Sequence, residues 1–208
     1  MIQKLDISSW ARKEHFQFFR KFEEPFFGIC AEVDCTQTYQ HAKENNLSFF
    51  LSYLHKSIVA ANQTEPFRYR IVGEEVIIHD TIAASSTINR DNGTFGFSYI
   101  PYAEDFATFV TGAQQEIERV RNSDGLKPAN SSENVIHYSS LPWIKFTAIS
   151  HARKFSFPDC IPKISFGKIT RETGKITMPV SIHVHHALMD GFHVGEHLHR
   201  FQELLNQP

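Results

Sequence analysis

The chain is poor in cysteine, has no long apolar run and shows no surplus of positive charge, and each absence removes a class of protein. Its three cysteines, Cys30, Cys35 and Cys160, are an odd number without close pairing. That reads as reduced thiols in a cytoplasm, not as a disulfide framework. Cys30 and Cys35 could be half of a metal site, but no second cysteine pair follows, and both read as small apolar residues. The mostly apolar stretches are too short to span a bilayer. The opening MIQKLDISSWARKEHF carries charges without an apolar core, so no secretory signal is expected. Lysine and arginine number 21 against 23 aspartates and glutamates. No basic stripe points to nucleic acid, and no basic amphipathic segment points to a membrane. Neither an internal repeat nor a low-complexity linker divides the 208 residues, so a single domain over 1–208 is expected. The most loop-like stretch, 122–132, reads as a long surface loop within it.

What the chain does have is phenylalanine, nineteen in all, and twelve histidines. The aromatics imply a large apolar interior or an aromatic pocket. Thr36 reads as the cap of a short helix ending near Asn45. Phe50, Leu54, Ile58 and Ala61 recur at helical spacing behind Ser48. Residues 67–72 and 75–79 read as a hairpin turning at Gly73 and Glu74, and 94–102 reads as a strand. Glu104 and Asp105 start a helix with Phe106, Phe109, Val110, Ala113, Ile117 and Val120 on one face. Residues 143–150 and 164–170 are strand-like, 175–186 is a long strand after a tight turn, and a helix follows from Gly191. Hairpin-connected strands among helices predict an α/β fold with a mixed, largely antiparallel sheet.

Residues 183–194, HVHHALMDGFHV, hold four of the histidines. Alternation along the preceding strand puts Ile176, Met178, Val180, Ile182 and Val184 on one face, and Thr177, Ser181, His183 and His185 on the other. His186 continues the apolar row. Desolvation there lowers an imidazole's pKa and keeps it neutral, which suits a general base. A satisfied core histidine is the alternative reading. His193 and His197, at i and i+4, have the spacing of a metal-ligand pair, but no HExxH accompanies them.

The stretch His185-His186-Ala-Leu-Met-Asp190-Gly191 matches HHxxxDG and resembles the signature of the chloramphenicol acetyltransferase family and its coenzyme A-dependent relatives. Ser9-Trp10-Ala-Arg12-Lys-Glu14-His15-Phe16 resembles the family's opening, Ser139-Ser-Leu-Pro142-Trp143 its SxxPW, and 178–204 its closing strand and helix. Phe67, Arg68 and Asp80 fit its hairpin region. The resemblance runs through nearly the whole chain in order.

It implies a two-layer α/β sandwich, and a homotrimer with active sites at the subunit interfaces. It also implies acetyl transfer from acetyl-coenzyme A to a hydroxyl of chloramphenicol, as in antibiotic resistance, with no metal, no nucleic acid and no membrane partner. By resemblance His186 is the general base and the Ser139 hydroxyl the oxyanion donor, and Asp190 pairs with Arg12 to hold the corner. Phe18, Phe19, Phe27, Phe95 and Phe97 line the acceptor pocket, Ser165 helps bind water near the reaction centre, and Lys168 lies near coenzyme A. From the residues alone, Ser139 is equally a turn residue, Arg12 and Lys168 solvated charges, and the aromatics ordinary core. Four positions depart from the family's pattern: Phe19 stands for a common tyrosine, Phe97 for a smaller residue, Ser48 for a lysine and Met189 for a cysteine. These bear on the acceptor more than on the chemistry. Rival readings are acetyl transfer to another hydroxyl or amine, a non-catalytic binding protein on this scaffold, and a histidine-based metallohydrolase.

Overall fold

The computed structural model of the chain describes residues 2–126, 133–156 and 158–208. Strand β1 (Ile2–Lys4) leads to helix α1 (Lys13–Phe19), the long strand β2 (Phe26–Asp34), and helices α2 (Thr36–Glu44) and α3 (Phe49–Gln63). Strands β3 (Tyr69–Val72), β4 (Glu75–His79), β5 (Ala83–Asn89) and β6 (Phe95–Phe97) precede α4 (Phe106–Arg121). Strands β7 (Val135–Ser140), β8 (Lys163–Phe166), β9 (Thr170–Glu172) and β10 (Lys175–His185) precede α5 (Gly191–Leu205). Helices α3, α4 and α5 start where a side chain satisfies an open donor of the first turn. Ser48 accepts from the Leu51 N–H at 3.3 Å, and Asp105 from the Thr108 N–H at 2.8 Å. Thr173 and Gly174, with φ of 48° and 83°, supply the positive-φ pair that a two-residue hairpin between β9 and β10 needs.

The main sheet has the order β2-β10-β8-β7-β5-β6, with β9 also on β10, and β1, β4 and β3 form a second, small sheet. β7 runs parallel to β5 and β8, whereas the pairings of β10 and of β6 are antiparallel. This is the two-layer α/β arrangement with a mixed, largely antiparallel sheet that the sequence predicts. Arg70 ties the two sheets together. It is fully buried, and its guanidinium donates to the carbonyls of Phe67, Tyr69, Glu133 and Val135.

Register gives the main sheet two chemically different faces. Ile136, Tyr138, Ile164, Phe166, Val180, Ile182 and Val184 join Leu54 and Ile58 of α3 and Val194, Phe201 and Leu205 of α5 in one apolar cluster. Burying each such side chain is worth about 1.5–3 kcal/mol. The opposite face carries His137, Ser139, Lys163, Ser165, Ser181 and His183. The irregular segment 141–156 crosses it: His151 meets the His183 ring edge-on at 4.7 Å, and the Arg153 guanidinium lies 3.9 Å over Phe26.

Several local expectations change. Residues 143–150 form no strand; Trp143 and Ile144 are 66% and 53% exposed, so this apolar run lies outside the sheet. The strand expected over 94–102 contracts to β6, and the one over 67–72 begins as a 3-10 turn at Glu65–Arg68. Cys35 occupies the cap position of α2; the Thr36 hydroxyl instead accepts from the Ile176 N–H at 2.8 Å, fastening the helix to β10. Cys35 and Cys160 are buried, as expected of small apolar residues, but Cys30 is exposed on β2. Of the loop expected over 122–132, residues 127–132 lie outside the described residues.

Candidate active site

His186 opens the turn between β10 and α5. Its N–H donates to the Pro25 carbonyl at 2.8 Å. Its ring stacks on Phe19, with centroids 3.9 Å apart and planes 15° from parallel, and leans on Phe27 at 4.7 Å. Phe27 pairs with Val184, so the imidazole does continue the apolar row. Its Nδ1 lies 3.3 Å from the Met189 carbonyl oxygen. A carbonyl only accepts, so this hydrogen bond requires the hydrogen on Nδ1 and leaves Nε2 a free lone pair. An imidazole held this way can take a proton from a hydroxyl.

The corner is held from below. Arg12, just ahead of α1, forms an ion pair with Asp190 and donates to the His186 carbonyl at 3.1 Å. Asp190 also caps α5, accepting from the Phe192 N–H at 3.1 Å, and its Oδ1 lies 2.9 Å from His193 Nδ1. Burial pushes the Asp190 carboxyl up, but the Arg12 guanidinium and then His193 more than reverse this, and its pKa falls below the ordinary value.

The other histidines of the cluster are occupied elsewhere. Deep burial falls on His185, not on His186, which is half-buried; His185 is 5% exposed, and burial, with the Arg153 charge, drives its pKa to about 4. Its Nδ1 accepts from the Ala187 N–H at 3.2 Å. His183 bonds the Ser181 hydroxyl at 3.1 Å. His193 and His197 do not converge: the first faces Asp190, and the second is fully buried against Phe67, with ring centroids 4.4 Å apart. Among the described residues no three histidine, cysteine, aspartate or glutamate side chains are grouped to hold a metal.

A second set of residues lines a cleft of about 550 Å³ on the opposite sheet face, with Ser139, Phe95 and Phe97 in its wall. The sequence reading missed the cleft's polar residues. Lys163, 8% exposed, donates to Asp159 at 2.5 Å and to the Ile161 carbonyl at 3.1 Å. It stands between His137 and His183 in one transverse row of the sheet. Burial, then the Lys163 charge, brings His137 to about 4; burial, then His183, does the same to His151. No local motif announces these groups, because they come from separate strands and a loop and meet only through register.

The structure divides the expected aromatics. Phe19 and Phe27 contact His186, Phe95 and Phe97 line the cleft, and Phe18 is 61% exposed on α1. Ser165 pairs with Ser139 but is fully buried, with no partner for its hydroxyl among the described residues, and does not line the cleft. Lys168 is exposed, and its N–H donates to the Ile144 carbonyl at 2.8 Å.

His186 and Ser139 do not meet within one chain. Ser139, Ser165 and Ser181 lie in register across β7, β8 and β10. His186 is five residues beyond Ser181, about 16 Å along the strand, and two strand spacings add about 10 Å sideways, for a separation of roughly 19 Å. A single copy therefore does not bring the two residues together.

The chain is similar over its whole length to proteins of one kind. Chloramphenicol acetyltransferase 3 of Escherichia coli is 30% identical over 206 residues, covering 98% of this chain and 96% of that one. A chloramphenicol acetyltransferase of Bacillus pumilus is 30% identical over 207 residues, covering 99% and 94%. A solved chloramphenicol acetyltransferase superposes with a TM-score of 0.91 at 34% identity, covering 99% of this chain and 100% of the other. A probable dihydrolipoamide acetyltransferase of Listeria monocytogenes, at 16% identity and a TM-score of 0.69 over 94% and 89%, shares the fold. The family description that matches residues 1–202 is that of the same acetyltransferases, and with the motif corner and the sheet order both in place the chain belongs to the chloramphenicol acetyltransferase family.

Proposed function

We propose that the chain, acting as one catalytic domain over 1–208 in the cytoplasm, transfers acetyl from acetyl-coenzyme A to a hydroxyl of chloramphenicol. It does so as a homotrimer in which His186 of one copy faces Ser139 of the next. The observation that carries this reading is the Nδ1 contact to the Met189 carbonyl, which leaves Nε2 of His186 as a base. Nε2 takes the hydroxyl proton as the oxygen attacks the thioester carbonyl. The Ser139 hydroxyl donates to the oxyanion that forms, a contribution of roughly 3–4 kcal/mol for such a donor. The oxyanion collapses, the C–S bond breaks, and the imidazolium returns its proton to the departing thiolate. No acyl-enzyme is needed, so no nucleophilic cysteine or serine is invoked. By the family likeness Lys168 meets the phosphates of the cosubstrate, and Phe95 and Phe97, which line the cleft, the ring of the acceptor. Among the described residues no helix is long and apolar enough to cross a membrane.

Thiol release from acetyl-coenzyme A, followed with and without chloramphenicol, tests the reading. Release only with the drug supports it; no release with any hydroxyl acceptor overturns it. A different acceptor is the second reading. It is favoured by the Lys163–Asp159 pair and the neutral histidines in the cleft, which suit a polar substituent.

A further inference from the structure

We propose that His193 is a positioning residue of this site: its Nδ1–H fixes one oxygen of Asp190, so that the other is presented to Arg12, which holds the His186 carbonyl. The inference rests on the catalytic role given to His186 above. It starts from a conflict of demand at one atom. His193 Nδ1 lies 3.2 Å from the Asp190 N–H, which needs a lone pair, and 2.9 Å from Asp190 Oδ1, which needs a hydrogen. One nitrogen cannot serve both. With the lone pair on Nδ1 the backbone donor is met, but two electron-rich atoms then face each other at the shorter distance. With the hydrogen on Nδ1 the Asp190 N–H loses its acceptor at 3.2 Å, but the ring makes the shorter bond to a carboxylate, which is roughly twice as strong as a neutral one. The geometry therefore assigns the hydrogen to Nδ1.

The consequence runs back along the corner. Oδ1 of Asp190 is held by His193 and by the Phe192 N–H, leaving Oδ2 for Arg12 Nη1. Arg12 Nη2 then reaches the His186 carbonyl at 3.1 Å. A carboxylate free to rotate would present either oxygen to the guanidinium, and the reach to His186 would shift with it. The His193 side chain is 18% exposed and touches the Phe192 ring edge-on at 5.6 Å, so its own orientation is limited.

The test uses the full-length protein and two substitutions. His193→Phe keeps a ring and removes the nitrogen, whereas His193→Asn returns an amide donor near the Nδ1 position. His193→Phe is expected to lower kcat roughly tenfold, with KM for both substrates within about twofold, and His193→Asn to recover most of the loss. Combined with Asp190→Asn, His193→Phe should add little, since both act through one carboxylate. Two measurements need no turnover. Nitrogen NMR of the histidines should show His193 protonated at Nδ1. Hydrogen exchange of the Arg12 guanidinium should quicken in His193→Phe and slow again in His193→Asn. An unprotonated Nδ1, or Arg12 exchange indifferent to His193, overturns the inference even if the protein acetylates nothing. Loss of thermal stability with kcat unchanged overturns it as well. Absence of acetylation by the unaltered protein, with both spectroscopic results as expected, instead removes the proposed function and leaves the His193 contact standing.

Discussion

Two inactive variants should make a working enzyme when mixed. His186→Ala removes the proposed base, and Ser139→Ala the proposed oxyanion donor. Alone, the first should nearly abolish turnover, and the second should lower it by roughly two to three orders of magnitude. The register places these residues in transverse rows five positions apart along β10. With roughly 19 Å between them in one chain, no side-chain rotation brings them to a common reacting atom. If each site takes its imidazole from one copy and its hydroxyl from the next, an equal mixture assembled at random contains four kinds of interface. One kind pairs an intact His186 with an intact Ser139, so about one quarter of the unaltered activity should return. The two variants would be co-expressed, or denatured together and refolded, and thiol release measured at fixed total protein. Mixing the folded variants without subunit exchange should give no gain. An exchanged mixture no more active than the average of its parents would refute the argument, because both residues would then have to act from a single chain.

Other predictions follow from packing and charge. Arg12→Met should destabilise the fold by roughly 1–3 kcal/mol, below the 3–5 of a fully buried pair because Asp190 keeps partial contact with water, and a urea midpoint would register it. Arg12→Lys should recover the charge but not the bridge to the His186 carbonyl, so stability should return further than kcat. Burial holds His185 at about 4 and His197 at about 3, below the ordinary histidine value, so the unfolded chain binds more protons than the folded one between these limits. Stability should thus be full above pH ~6.5 and fall with decreasing pH, by on the order of 1 kcal/mol per pH unit for each ring. His197→Phe should flatten that slope, and an unchanged slope from pH 7 to 5 would show that His197 is not held neutral by burial. A Cβ at Gly28 would lie 2.3 Å from His183 Nε2, so Gly28→Ala should cost roughly 1–3 kcal/mol. His183→Ala in the same chain should remove most of that penalty.

The fold was legible wherever one physical signal dominated. Period-two alternation assigned the faces of β10, and the contact of His186 with Phe27 agrees with that row. Capping residues located α3 and α4, and paired turn residues located the β3-β4 and β9-β10 hairpins. The reading failed at 143–150, where apolar side chains that suggest a strand remain outside the sheet; local pattern cannot tell a buried apolar residue from one exposed on a single copy. Arg12 and Asp190, 178 positions apart, could be paired only through the family resemblance. The Lys163 row could not be found at all, since three strands must be aligned before His137, Lys163 and His183 become neighbours. The separation of His186 from Ser139 is likewise a property of register. A list of motif residues does not say that they stand too far apart to cooperate.

The carbonyl of Met189 carries a consequence of its own. The tautomer of His186 is set by a group that every amino acid possesses, so position 189 contributes through the path of the main chain. Its side chain is fully buried, and substitution there is constrained by volume while being chemically silent toward the imidazole. An exchange of cysteine for methionine at the centre of the signature can therefore drift without touching the Nδ1 contact, and residue-by-residue comparison would never reveal which atom orients the ring.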